Sequence, residues 1–214
     1  MESGSSTDGG TGMGRIVVSE FVSLDGVMED PGGSEGTRHA GWTFSFDRGA
    51  EGDRFKLDEV HAAEALLLGR VTYQGFAAAW PTVQDPVGFA DKMNAMPKFV
   101  VSASLSDEDA TWHDTTVVRG DVATEVRALR GRTDGDLLVN GSASLVQQLV
   151  ELGLVDELRL MVFPIILGSG KRLFGDVAQP PRLALDCMRT VGESIVILTY
   201  HPAQVARSSV TTAA

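Results

Sequence analysis

Asp136–Phe174 reads DLLVNGSASLVQQLVELGLVDELRLMVFPIILGSGKRLF and places two glycine turns at the ends of two apolar runs, with a helix between them. Asp136 to Val139 has the length and content of a short buried strand, and Val155 to Ile166 holds another. Between them Leu145, Val146, Leu149 and Leu152 recur at helical spacing. That spacing predicts a helix over Ser142–Leu152, and Gly153 stands where a left-handed C-cap belongs. The unit is strand, turn, helix, strand. At its first turn, Asn140-Gly141-Ser142, the missing Cβ leaves backbone N–H groups open to an anion, and a helix dipole adds about 0.3–1 kcal/mol for one. A phosphate or pyrophosphate suits that turn. A plain αβ connection capped by Ser142 or Ser144 suits the same residues.

Working outward, Arg15 to Val22 (RIVVSEFV) crowds apolar residues onto both faces, as a central strand covered on both sides requires. It runs into Ser23-Leu24-Asp25-Gly26. Glu29 to Gly49 shows no period and reads as a long loop, of the kind that is usually functional inside a compact domain. Asp53 to Ala63 is loosely helical, Ala65 to Leu68 is a buried strand, and Gly69-Arg70-Val71-Thr72 opens another helix. Phe89 to Ala95 reads as a short helix, Lys98 to Ser102 and Thr115 to Val118 as strands, and Val122 to Leu129 as a helix. Leu183 to Arg189 and Ser194 to Tyr200 alternate around Val191-Gly192-Glu193, the pattern of an antiparallel hairpin. The expected fold is α/β, a mostly parallel, helix-covered central sheet finished by an antiparallel C-terminal edge hairpin.

The chain has 214 residues, 43% of them hydrophobic, enough for one domain with a sizeable core. Residues 1–14 and 203–214 are expected to be disordered tails on a domain spanning 15–202. No run approaches the ~20 apolar residues of a membrane span, and the N-terminus lacks the order of a signal peptide, so a cytoplasmic protein is expected. A formal net charge of −11 argues against nucleic acid as a partner. Cys187 is the only cysteine and the four histidines are scattered, so neither a disulfide, a redox pair nor a metal site is expected. GxSxG and GxxxxGK[ST] are both absent, which removes the commonest hydrolase and NTPase readings.

A parallel sheet places its ligand at the carboxyl ends of its strands, so the loops there are the ones to collect. In order they are Ser23-Leu24-Asp25-Gly26, Gly69-Arg70-Val71-Thr72, Ser102-Ala103-Ser104-Leu105, Asn140-Gly141-Ser142-Ala143 and Leu167-Gly168-Ser169-Gly170. The ordered set resembles the dihydrofolate reductase-like superfamily. More closely it is similar to the reductase domain of the bifunctional riboflavin-biosynthesis deaminase/reductase, over about Arg15 to Tyr200. The resemblance implies a dihydrofolate reductase-like three-layer sandwich, an NADPH-dependent reductase and a homodimer. It directs Arg70 and Thr72 at cofactor phosphate and brings Ser102 to the adenosine ribose and its 2′-phosphate. Gly141, Ser142 and Ala143 would cradle the pyrophosphate, and Gly168, Ser169 and Gly170 would approach the cofactor or close over the substrate. Relatives often carry a basic residue directly after that serine, where this chain has Ala103, which leaves NADPH against NADH open.

Hydride transfer needs neither metal nor covalent nucleophile, but the reduced carbonyl or imine still needs a proton. Asp25, with Ser23 beside it, is the candidate to relay one or to bind a substrate hydroxyl; an Asx-turn before Gly26 is the plainer reading. Gly26, Trp42 and Phe46 are candidate substrate contacts, the aromatics as walls for a flat heterocycle. No deaminase half is expected in these residues, since neither HxE nor PCxxC occurs in them. The riboflavin-pathway DNPxLTxR-like stretch is replaced by VTYQGFAAAWPTV. The substrate therefore stays open among 5-amino-6-(5-phosphoribosylamino)uracil, a pterin and another small carbonyl or imine. A nucleotide-binding or ligand-sensing module without catalysis is the alternative.

Overall fold

In the computed structural model, which describes residues 13–203, the apolar run near the start forms β1 (Arg15–Ser23) with both faces buried. The chain then builds α1 (Gly49–Ala62), β2 (Ala63–Gly69), α2 (Arg70–Ala79), α3 (Phe89–Ala95), β3 (Lys98–Val101) and β4 (Thr115–Val118). It continues through α4 (Val122–Arg130), β5 (Asp136–Val139), α5 (Ala143–Glu151), β6 (Glu157–Phe163), β7 (Leu183–Val191) and β8 (Ile195–Pro202). The eight strands form one sheet in the order β4-β3-β2-β5-β1-β6-β8-β7. The first six are parallel, while β8 runs antiparallel to both β6 and β7. This is the expected architecture, with β1 near its centre and β7 at its edge.

Alternation along the strands divides the core. Ile16 and Val18 of β1 join Leu137 and Val139 of β5 beneath Val126 of α4 and Leu149 of α5. Val17, Leu66 and Leu138 face the other way, against Val60 of α1, Tyr73 of α2 and Met93 of α3. Helices therefore cover both sides, the arrangement that right-handed crossovers between parallel strands produce. At the lower end of β1, Arg15 makes a bidentate pair with Asp136 at 2.9 Å and reaches Glu157 at 3.1 Å, which ties the register of β5, β1 and β6 together. Among the described residues no helix is long and apolar enough to cross a membrane.

Some boundaries differ from the sequence reading. α1 begins at Gly49 rather than Asp53, because the Asp47 carboxylate holds the Gly49 N–H and Gly52 packs closely against Val191. β2 begins at Ala63, two residues early. α5 begins at Ala143 with Ser142 as its N-cap residue, yet no side chain caps it, since the Ser142 hydroxyl instead meets that of Ser144 at 3.1 Å. Gly153 has the left-handed φ of 62° expected of it. The expected tails at 1–14 and 203–214 fall almost entirely outside the described residues, while Gly14 is held to Arg130 through its N–H and its carbonyl.

Candidate functional site

β2 and β5 end side by side, and the backbone closes over the gap where the Gly69 N–H donates to the Gly141 carbonyl at 3.1 Å. Both glycines are required by contact. A Cβ at Gly69 would lie 2.2 Å from Ser142 Oγ, and one at Gly141, whose φ is 92°, would lie 2.8 Å from Thr72 Oγ1. The result is a cleft of about 210 Å³ lined by Gly69, Arg70, Ser102, Ser142, Ser144 and Gln148. Arg70, Thr72, Ser102, Gly141, Ser142 and Ala143 thus come together, as the sequence reading grouped them. Arg70 is exposed and donates only to the neutral Gln74 side chain at 2.9 Å, with no carboxylate partner among the described residues. Its charge is available to an anion. Ser102 Oγ accepts from the N–H groups of Ser104 and Leu105 and keeps its own hydroxyl proton to donate. A cationic fork, three hydroxyls and the start of a nine-residue helix converge on one small cleft, a donor set that fits phosphate.

Asp25, Ser23, Gly26, Gly168, Ser169 and Gly170 form a second group, at the upper ends of β1 and β6. Asp25 accepts from the Ser23 hydroxyl at 2.7 Å, from the Leu167 N–H at 3.1 Å and from the Gly168 N–H at 2.9 Å. These bonds, the serine first, hold its pKa down at about 2. A carboxylate so engaged is ionised at neutral pH and carries no proton to relay. Its geometry is that of a clasp between two loops. The clasp is reinforced by Arg172, which donates to the Asp25 carbonyl, and by a short antiparallel bridge between Val27 and Arg172. Gly170 lacks the Cβ that would meet Val27 at 2.8 Å. Gly168–Gly170 therefore close against the Asp25 loop and not against the Gly69–Gly141 cleft. Met28 joins the two groups, its Cε lying 3.6 Å from where a Cβ on Gly141 would stand.

The aromatic walls are placed differently. Trp42 is buried, its indole N–H donates to the Glu29 carbonyl at 2.9 Å, and its ring meets Phe163 edge-on at 5.3 Å. Phe46 packs on the same Phe163 at 5.7 Å. Trp42 is a buried member of a core cluster with Ile195 and Ile197, and Phe46 packs against it partly buried, so the structure places Trp42 in the core and not in the Gly69–Gly141 cleft. The long segment that carries them is irregular, apart from a 3-10 turn over Trp42–Ser45, and Asp30 organises it. Although burial opposes its charge, Asp30 accepts from Glu35, from the Thr37 N–H and from the Thr37 hydroxyl, and these keep its pKa below the usual range.

Sequence reasoning missed a buried cluster of ionisable side chains beside the site. Glu20 of β1, Lys56 and Glu59 of α1 and Glu157 of β6 are each less than a tenth exposed. Lys56 Nζ donates to Ser19 Oγ at 2.9 Å and lies 2.6 Å from Glu59, which Arg159 also approaches at 3.3 Å. The available signal was Ser19-Glu20 in the middle of an otherwise apolar strand. A larger hollow of about 400 Å³, lined by Asn94, Trp112 and His113 among others, lies near the opposite strand ends, before β3 and β4. The Asn94 amide there is engaged by Trp112 and by the Trp80 carbonyl.

With this geometry in view, the comparisons with known proteins decide the family. The family model described as the RibD C-terminal domain matches residues 15–197. The chain belongs to the RibD C-terminal domain family. Within reach of that RibD-type domain, YyaP of Bacillus subtilis (strain 168), an uncharacterized protein, is 28% identical over 190 residues, 87% of this chain and 94% of its own. Among solved structures, a Shewanella sp. PV-4 protein provisionally assigned to riboflavin biosynthesis shares the fold at a TM-score of 0.73 and 22% identity, over 89% of this chain and 99% of its own. Dihydrofolate reductase from Enterococcus faecalis, complexed with NADP(H), shares it at 0.53 and 15% identity, over 89% and 98%. The RibD-type domain described here therefore has the dihydrofolate reductase-like fold.

Proposed function

We propose that this chain is an NADPH-dependent reductase of the riboflavin-biosynthesis reductase type, acting on an imine or carbonyl of a small heterocycle. The observation that carries the reading is the cleft between Gly69 and Gly141, where Arg70, with no carboxylate partner among the described residues, the serine hydroxyls and the α5 N-terminus offer donors and positive charge in a protein of net charge −11. A bound reduced dinucleotide would supply hydride, and the chain's own part is to bind and orient it and to handle the accompanying proton. Gly141, Ser142 and Ala143 hold the pyrophosphate. Arg70 and Ser102, which line one cleft, hold the ribose end, and Arg70 takes the part of the basic residue missing at Ala103. Asp25 and Ser23 shape the substrate side by holding the Leu167–Gly170 loop over it, with Gly26 at the turn and Phe46 behind. The substrate class includes 5-amino-6-(5-phosphoribosylamino)uracil and pterins. We further assign a cytoplasmic location and a homodimer through the edge strand β7, where Leu185 and Met188 are more than half exposed; a monomeric mass in solution would remove the latter.

Titration with NADPH and NADH, followed by tryptophan quenching, tests the cofactor assignment. Micromolar NADPH binding with weaker NADH binding is expected. Selective NADH binding would reassign the cofactor, and binding of neither would favour a non-catalytic ligand-sensing module on this fold.

A further inference from the structure

β1 outruns β5. Val18 pairs with Val139, the last residue of β5, whereas pairing with β6 continues to Ser23 and Phe163. Extending the first register sets Ser19 and Glu20 alongside Asn140 and Gly141, and the Asn140 side-chain amide confirms the alignment by donating to the Ser19 carbonyl at 2.7 Å. Glu20 thus places a carboxyl against the turn whose other side forms the phosphate cleft. The residue is 6% exposed, and its Oε1 has no hydrogen-bond partner among the described residues. An orphaned polar atom at such depth is costly to stability, and it sits where β1 has only core residues, Val18 and Val22, as same-face neighbours. The groups acting on it are Lys56 and Glu59 from α1, Glu59 being itself approached by Arg159 of β6, and the Gly141 N–H from the turn. Burial raises its pKa to about 8 in spite of the opposing pull of Lys56 and the Gly141 N–H, so at neutral pH it is an acid that still holds its proton.

We propose that Glu20 is the proton donor of the reduction, a buried carboxyl with a partnerless oxygen set beside the Gly141 turn for the substrate atom that takes up the electron pair. The inference rests on the reductase reading. As the substrate carbon receives hydride from the reduced nicotinamide dinucleotide, the π bond of its C=N or C=O group breaks onto nitrogen or oxygen. That atom takes the proton as the Glu20 O–H bond breaks. The Gly141 N–H favours the resulting carboxylate, and so does the longer-range pull of Lys56, which is itself bound to Ser19 and Glu59; solvent returns the proton after product leaves. Neutral carboxylic acids of this kind, with pKa values matched to the working pH, are effective general acids.

The test uses the full chain labelled with ¹³C at glutamate carboxyls, with Glu20→Gln as control. Infrared spectra of the wild type at pH 7 are expected to show a carbonyl band of a neutral acid that fades near pH 8, shifts on saturation with NADPH and is absent from E20Q. E20Q should bind NADPH within twofold of the wild type. It should reduce whichever of 5-amino-6-(5-phosphoribosylamino)uracil, dihydropterin and dihydrofolate the wild type reduces fastest about 10²–10⁴-fold more slowly, without the alkaline limb. Absence of the band, a band indifferent to NADPH, or an E20Q variant with the wild-type rate and pH profile would overturn the assignment while leaving the reductase reading intact. A wild type that binds no NADPH, or reduces none of the three, defeats that reading and this inference with it.

Discussion

Replacing Glu20 by glutamine should make the protein more stable, by an amount that depends on pH. The carboxyl is 6% exposed, and its pKa rises from 4.5 to about 8 on folding. With a folded pKa above the unfolded one, its contribution to stability is fully present below pH 4.5. It is lost as pH climbs towards 8, because only the unfolded chain gains the solvation of an ionised carboxylate in that window. Each pH interval of one costs about 1.4 kcal/mol, so the wild type should lose about 3 kcal/mol by pH 7 and about 5 kcal/mol by pH 9 relative to pH 4. Glutamine keeps the volume and removes the ionisation. Urea unfolding of both proteins at pH 4.5, 7 and 9 is the assay, and the difference between them isolates this one group, since every other titration is common to both. E20Q should be close to the wild type at pH 4.5 and ahead by several kcal/mol at pH 9. A constant difference across the range, or an E20Q variant destabilised at pH 9, would refute the argument that burial dominates the environment of Glu20. An ionisable carboxyl retained at such cost is the pattern of a site selected for activity over stability.

Arg70→Met should weaken NADPH binding about 10–100-fold, the worth of a charge-assisted contact, and leave Tm unchanged because the side chain is exposed; isothermal titration beside a melting curve checks both. Asp25→Asn should free the loop that follows β6, seen as faster amide exchange at Leu167 and Gly168. In the wild type the stabilising effect of Asp25 is present above its ordinary pKa of 3.8 and lost as pH falls through about 2, so that exchange should quicken only in strong acid. Phe163→Ala, which removes the ring that Phe21, Trp42 and Phe46 all meet edge-on, should cost about 3–5 kcal/mol in urea unfolding, and an unchanged midpoint would contradict the packing described.

The parts of the fold that could be read from sequence are those where apolar periodicity and local turn chemistry agree. α5 shows its buried stripe of Leu145, Val146 and Leu149 openly, and Gly153 ends it as its φ requires. α1 was only loosely readable, because the face it buries carries Lys56 and Glu59, residue types that periodicity assigns to solvent. Their compensation comes from Ser19 and Arg159, far away in the chain. The cleft residues could be collected because parallel topology sends every strand end to one place. Asp25 could be located, but not its bonds, since the amides it holds are 142 and 143 residues downstream. Trp42 shows the same limit: an aromatic in an irregular segment has no period to say which way it faces.

The central position of β1 has a consequence for biosynthesis. Its neighbours are β5 and β6, so the RIVVSEFVS strand has no partner until residues 136–163 exist. At ribosomal speeds of about 5–20 residues per second, that interval is on the order of ten seconds. An exposed β-branched run of this kind is an aggregation hazard in a nascent chain. Glu20, with its ordinary pKa of 4.5 before folding, is ionised throughout that wait and interrupts the run with a charge. The same carboxyl that guards the strand while it is alone takes up a proton as the sheet closes around it.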